Sequence, residues 1–309
     1  MALYLTNIAQ MSAMRSFNNA TASLNTTMRR LATGYRINSA KDDAAGLQIS
    51  NRFTAQIDGY KQGSRNASDG QAVLNVAEGA IEEITTMLQR IRVLANQSAT
   101  GTYTDRDRQS LSDEVEQLSL EINRIADKTT FGGAKILNGL KGVKEGNSLL
   151  NAEGKLSLQV GADAYDTIEV DLSAGMSLTQ MTEALELNAN GADVEDLYGL
   201  VTGEDGELGF DISTQEGAQK VLAVVDKFIN YTSSRRGYMG AVSNRLDSVL
   251  RLNDTMRTNL ADARARIRDT DYAEEASNLA QQMVQQQVAL MVMQRAASQS
   301  SLILQLLQG

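Results

Sequence analysis

Apolar residues recur at steps of 4 and 3 over most of this chain, the spacing that puts side chains on one face of an α-helix. Val73, Ala77, Ala80, Ile84, Met87, Ile91 and Leu94 form one row, and Leu74, Ile81, Leu88 and Ala95 form a second beside it. Two adjacent rows make a stripe too wide for the single seam of a dimeric coiled coil, so this helix is expected to touch at least two others. Leu111, Val115, Leu118, Ile122 and Ile125 repeat the spacing. So do Leu246, Val249, Met256, Leu260 and Ile267, with Asn253 at the missing step, which predicts a bundle with one polar seam position.

The two ends form a further pair. Met14, Phe17, Leu24, Met28 and Leu31 keep the spacing near the N-terminus, with Thr21 filling one step, and Leu279, Met283, Leu290, Met293, Leu304 and Leu307 keep it near the C-terminus. Both ends are short of charge: no acidic side chain occurs before Asp42, and Arg295 is the one charged residue from Ala276 onward. Ordering a residue costs about 1.5 kcal/mol, whereas a buried apolar side chain returns about 2. Seam residues fill only one position in three or four, so these helices are expected to need partners, and in a soluble protein that means self-association.

The middle changes period. Leu156, Leu158 and Val160 alternate, residues 161–166 supply a turn, and Ile168, Val170 and Leu172 alternate again, which predicts a β-hairpin. Residues 176–210 mix a short helical run with glycine and acidic turns. The next helix is expected to start near Ser213, because Glu216 three residues on completes a capping-box pattern.

Charge and composition sharpen this division. The chain has 309 residues, 29 basic and 38 acidic, and a net charge of -9. Residues 141–234 hold five lysines and seventeen carboxylates, so the acidity belongs to the middle. Sixteen of 24 glycines lie between Gly132 and Gly240, and none between Ala241 and Gln308, which leaves the flanks as helical territory. His, Cys, Pro and Trp are absent. Without His or Cys the usual catalytic pairs, zinc and haem ligands and disulfides are excluded, and no cofactor is expected. The complete lack of proline suits long helices, or a backbone that travels as an unfolded thread. The start, MALYLTNIAQMSAM, lacks the layout of a signal peptide, and no run of 18 apolar residues occurs, so no membrane span is expected.

At RINSAKDDAAG (Arg36 to Gly46) and SRNASDG (Ser64 to Gly70) the chain resembles bacterial flagellin. LQRIRVLANQS (Leu88 to Ser98), FGGAKILNG (Phe131 to Gly139), LQVGADAYDTIEVDL (Leu158 to Leu172) and ARARIRDTDYAEEASNL (Ala263 to Leu279) resemble further flagellin segments in the same order. The resemblance implies a mainly α fold: a long-helix coiled-coil bundle formed by paired N- and C-terminal segments, with a small β-hairpin region in the middle. It divides the chain into an inner domain (1–44 with 267–309), an outer helical bundle with the hairpin (45–174 with 213–266) and a short variable outward tip (175–212). It implies a subunit that polymerises into the flagellar filament for motility. Such subunits leave the cell through the flagellum's own export apparatus and meet an export chaperone, cap and hook-junction proteins. The C-terminus departs from the family, because MQRAASQSSLILQLLQG lacks the usual Pro and carries Arg295.

By resemblance, Arg90, Leu94 and Glu114 fall where flagellins meet the vertebrate Toll-like receptor 5, with Leu94 expected on a helix ridge beside Arg90. The plainer reading of the charges is a solvated or inter-subunit ion pair. Lys41, Asp42 and Asp43 read as a helix start with its acids on the macrodipole. Two neighbouring carboxylates give a divalent cation too few ligands. Arg257, Arg264, Arg266 and Arg268 alternate with Asp262, Asp269 and Asp271 and have no interleaved aromatic, so no nucleic-acid face is expected. Two other functions share part of this pattern. A hook-filament junction protein has related terminal helices, but RINSAKDDAAG favours flagellin. A metalloprotease insert needs H-E-x-x-H, which a chain without His excludes, and a carboxylate-pair hydrolase in the acidic middle remains as the enzyme reading. The Gly175 to Gly209 segment is expected to be a dispensable, solvent-facing tip.

Overall fold

The computed structural model describes residues 8–144, 149–187, 199–202 and 207–308, the side chains of 142–144 and 299–308 excepted. Parts of the expected tip, 188–198 and 203–206, lie outside the described residues. Four long helices dominate: α1 (Ile8–Thr33), α2 (Ala44–Ser98), α6 (Gln215–Arg268) and α7 (Tyr272–Gln308). Between α2 and α6 lie α3 (Asp105–Lys128), the short α4 (Gly139–Lys144) and α5 (Leu178–Ala184), and three two-stranded antiparallel hairpins. These are β1 (Thr130–Phe131) with β2 (Ala134–Lys135), β3 (Lys155–Gln159) with β4 (Thr167–Asp171), and β5 (Leu200–Thr202) with β6 (Leu208–Phe210). The chain divides into two compact units, residues 1–57 with 257–309 and residues 58–256.

The second unit holds the core. The α2 rows predicted from spacing are buried at every position but Ala80 and Met87, which are half-buried against the same cluster. Helix α6 runs antiparallel to α2, as paired residues descend on one helix while they ascend on the other: Gln71 with Asp247, Thr85 with Thr232, Arg92 with Asp226. Helix α3 closes the bundle with Val115 and Ile122 fully buried. Its start is fixed by a capping box, in which the Thr104 hydroxyl accepts from the Asp107 amide and the Asp107 carboxylate accepts from the Thr104 amide.

The β3–β4 hairpin has the expected register, Leu156 opposite Val170 and Leu158 opposite Ile168. It lies flat on α2 because glycine lines the contact: a Cβ on Gly63 would strike the Val160 carbonyl, and one on Gly70 would strike the Leu158 side chain. Asn253, the polar break in the α6 row, is 3% exposed and donates to the Val160 carbonyl at 2.8 Å. Its amide satisfies a backbone oxygen that burial would otherwise leave unpaired.

Two expectations are corrected. The cap of α6 is Thr214, whose hydroxyl accepts from the Gly217 amide at 2.9 Å, while Ser213 bonds Asp211 instead. The larger correction concerns the tip. Met176, Leu178, Met181 and Leu200 are at most 1% exposed and belong to the core cluster. Helix α5 begins with its own capping box, Ser177 with Gln180, and the Leu178 amide donates to Asn123 of α3 at 2.9 Å. Asn123 also donates to the Leu208 carbonyl, and Ser119 accepts from the Phe210 amide. The described part of 175–212 is thus packed into the bundle, with Met176, Leu178, Met181 and Leu200 in the common core and hydrogen bonds to Asn123 and Ser119 of α3.

Candidate assembly surfaces

In the first unit α1 and α7 pair antiparallel, with Thr21 accepting from Gln286 at 3.1 Å and Arg30 within 3.6 Å of Glu275. Buried positions on the pair are Ala13, Leu24, Thr27, Glu275 and Ala296, mostly small residues that let the helices approach closely. Among the predicted seam residues whose side chains are described, Leu24 alone is buried. Phe17, Leu31, Leu279 and Met293 are half-buried, and Met14, Met28, Met283 and Leu290 face outward with 39–57% of their surface exposed. The side chains of Leu304 and Leu307 lie outside the described residues, although the α7 backbone reaches Gln308. Within one chain, then, Leu24 and the small residues beside the Met row make the close contact, and Met14, Met28 and Met283 face outward. A shallow groove of about 790 Å³ runs along the pair between Ser12, Ser16 and Ala20 of α1 and Val284, Val288 and Val292 of α7.

Both chain halves break helix at the same place in this unit. Gly34, at φ 75°, ends α1 in the left-handed turn that glycine adopts without strain, and its amide bonds the Arg30 carbonyl. Arg36 donates from its amide to the Arg268 carbonyl at 2.7 Å, and Thr270 donates to the Gly34 carbonyl at 2.9 Å. The Arg268 guanidinium sits 4.3 Å from the centre of the Tyr35 ring. Asp43 caps α2 by accepting from the Gly46 amide, as its position in the sequence suggests, and Asp271 caps α7 through the Ala273 amide. Asp42 accepts from the Asn38 and Ser39 amides and faces Arg29 at 3.5 Å, which makes it a turn brace. Among the described residues no group of acidic side chains is arranged to hold a metal ion. Of the four arginines in the alternating Arg/Asp run, Arg266 is paired with Asp262 and Arg264 donates to Thr54.

Several of these carboxylates carry a pH dependence. Hydrogen bonds from Ser39 and Asn38 hold Asp42 below its ordinary 3.8, Thr104 does so for Asp107, and the Lys135 ammonium does so for Asp127. A carboxylate depressed in the folded state stabilises it above the unfolded pKa and loses that contribution as pH falls through the folded value. Urea midpoints are therefore expected to hold flat above about pH 4.5 and to fall below 3.8. Asp127→Asn should flatten part of that fall, and an unchanged slope would remove Asp127 from the account.

On the second unit Arg90 and Glu114 form an exposed ion pair at 2.8 Å between α2 and α3. Leu94 is not on their ridge. It is 1% exposed and turned into the core, as its place in the α2 apolar row requires, and the exposed apolar neighbour of Arg90 is Val93 at 57%. The helical period carried that information, and Val93 lies off the row.

Comparison with known proteins agrees with this architecture. The bacterial flagellin N-terminal helical region matches residues 5–142, and the bacterial flagellin C-terminal helical region matches residues 222–307. Polar flagellin F of Vibrio parahaemolyticus is 34% identical over 98% of both chains, and flagellin B of Vibrio cholerae is 32% identical over the same shares. The first alignment extends over 382 residues against 309 here, so the relative carries segments this chain lacks. Among solved structures, a Vibrio parahaemolyticus chain assigned as a flagellar hook-associated protein covers 74% of this chain and 100% of its own at a TM-score of 0.54. At 15% identity that likeness shows the fold alone. Two matched regions and full-length relatives carry the assignment: the chain belongs to the bacterial flagellin family, whose members are structural subunits of the extracellular flagellar filament and not enzymes.

Proposed function

We propose that copies of this flagellin meet through the outward apolar faces of α1 and α7. The observation that carries the reading is where the large apolar residues point. Met11, Met14, Val284, Val288, Met291 and Val292 are 47–59% exposed on helices nearly free of charge. A contiguous apolar face of this kind marks a surface that another protein covers. On this reading residues 1–44 and 267–309 form the inner layer of the filament, and residues 45–174 and 213–266 lie outside it.

The chain travels to the filament tip as an unfolded thread through the flagellar export apparatus. An export chaperone covers the apolar ends before export, and cap and hook-junction proteins meet the same ends at the filament's limits. Arg90 and Glu114, with the exposed Val93 beside them on α2, form the face offered to Toll-like receptor 5, and Leu94 supports it from below. Truncation tests the assembly reading. A chain ending before Ala276 should remain a soluble, helical monomer and form no filaments by electron microscopy at concentrations where the full chain does. Filaments from the truncated chain would sink it.

A further inference from the structure

Helices α1 and α7 form a ribbon with two unlike sides. At about 100° per residue, Ser12, Ser16 and Ser23 of α1 lie about 70° to one side of the line through the buried Leu24 and Thr27, whereas Met14 and Met28 lie about 90° to the other. On α7, Val284, Val288 and Val292 lie about 110° to one side of the line through the buried Glu275 and Ala296, and Met283 and Leu290 about 100° to the other. Because the helices run antiparallel, the serines and valines share one side of the ribbon and line the groove of about 790 Å³. Met14, Met28, Met283 and Leu290 share the opposite side as a ridge, 39–57% exposed.

The two sides match each other. On α1 the groove lining spans Ala9 to Ser23 and the ridge spans Met14 to Met28, so each is about 20 Å long at 1.5 Å per residue. No charged residue lines the groove, and the four ridge residues are all apolar. Beside the ridge the Gln286 side chain donates to the Thr21 hydroxyl at 3.1 Å, which ties up the nearest polar groups.

Geometry selects the occupant. A chain cannot seat its own ridge in its own groove, since the two lie on opposite sides of one helix pair. Ridge against ridge would leave both grooves in water, and groove against groove would enclose voids that forfeit contacts. A ridge in a groove fills the space, and unbranched Met side chains adapt to an irregular floor. Such a contact joins different patches of two identical copies. It leaves a free ridge at one end and a free groove at the other, so it repeats.

We propose that the Met14, Met28 and Met283 ridge of one copy seats in the Ser16 and Val288 groove of the next. The inference rests on the filament reading above and adds the pairing of faces to it, each copy being held by unlike sides of the ribbon.

The chain has no cysteine, so introduced thiols report single positions. Chains carrying Met14→Cys or Met28→Cys are copolymerised under reducing conditions with chains carrying Ser12→Cys, Ser16→Cys or Ser23→Cys, imaged, and treated with a short bismaleimide. At least one ridge-and-groove mixture should give covalent dimers on a denaturing gel. Filaments of ridge variants alone, or of groove variants alone, should give none. Ser16→Phe supplies the second arm. Ser16 is exposed within its own chain, so the ring fills the groove without disturbing the buried line. The circular dichroism of the monomer should be unchanged, while the critical concentration for polymerisation rises roughly tenfold. Imaged filaments in which no mixture cross-links, dimers within single-variant filaments, or an unchanged critical concentration for Ser16→Phe would each overturn the pairing. Failure of the parent chain to form filaments at all would instead overturn the reading beneath it.

Discussion

Replacing residues 175–209 by a short Gly/Ser linker is expected to unfold the second unit rather than trim a surface. Met176, Leu178, Met181 and Leu200 are at most 1% exposed in the common core. Each is worth about 2–3 kcal/mol of burial, so their joint loss is about 8–12 kcal/mol against a total stability of about 5–15 for a domain. The polar losses act in the same direction. Asn123 on α3 would lose both the Leu178 amide and the Leu208 carbonyl, and Asn138 would lose Gln180. A circular-dichroism melt of the replaced chain should show a non-cooperative transition or one lowered by tens of degrees. A sharp melt within a few degrees of the parent would mean that these residues hold nothing together.

The second large effect concerns the ends. Helices α1 and α7 bury few large side chains against each other, with Leu24 buried and Phe17 and Leu31 half-buried, while Met14, Val288 and Val292 remain in water. A pair of helices held by so little apolar contact opens easily, because the entropy of ordering is not offset. Covering the outward row in a polymer supplies the missing burial. Residues 8–33 and 272–298 are therefore expected to change from rapidly opening helices in the monomer to strongly protected ones in the filament, by at least a hundredfold in amide exchange. Unit 58–256, whose core is complete in one chain, should change little.

What the sequence disclosed depended on how long each pattern ran. The α2 rows extend over 23 residues, and a period that long predicts burial residue by residue, Leu94 included. Resemblance alone suggested a ridge for Leu94, and there the helical period was the better guide. The β3–β4 hairpin was legible because three apolar residues alternate on each side of one turn. The 175–212 segment was not, since its elements run only 3 to 7 residues and acidic turns separate them. One local sign was present in Ser177 and Gln180, a capping-box pair that announces α5 and its apolar face. On α1, spacing identified the row of Met14, Phe17, Leu24, Met28 and Leu31 and passed over the small residues beside it. Close helix approach selected the small residues, leaving the methionines for other contacts. Nothing in residues 161–166 announces that Tyr165 is held at φ 67°, because hydrogen bonds from Gln159 and between the strands impose it.

The central claim is that the terminal helices complete their burial only between copies. Hydrogen exchange read by mass spectrometry, on dilute monomer and on sedimented filaments of the same full-length chain, tests it most directly. Peptides from residues 8–33 and 272–298 should exchange within seconds in the monomer and persist for hours in the filament. Slow exchange of both segments already in the monomer, or fast exchange that survives polymerisation, would contradict it.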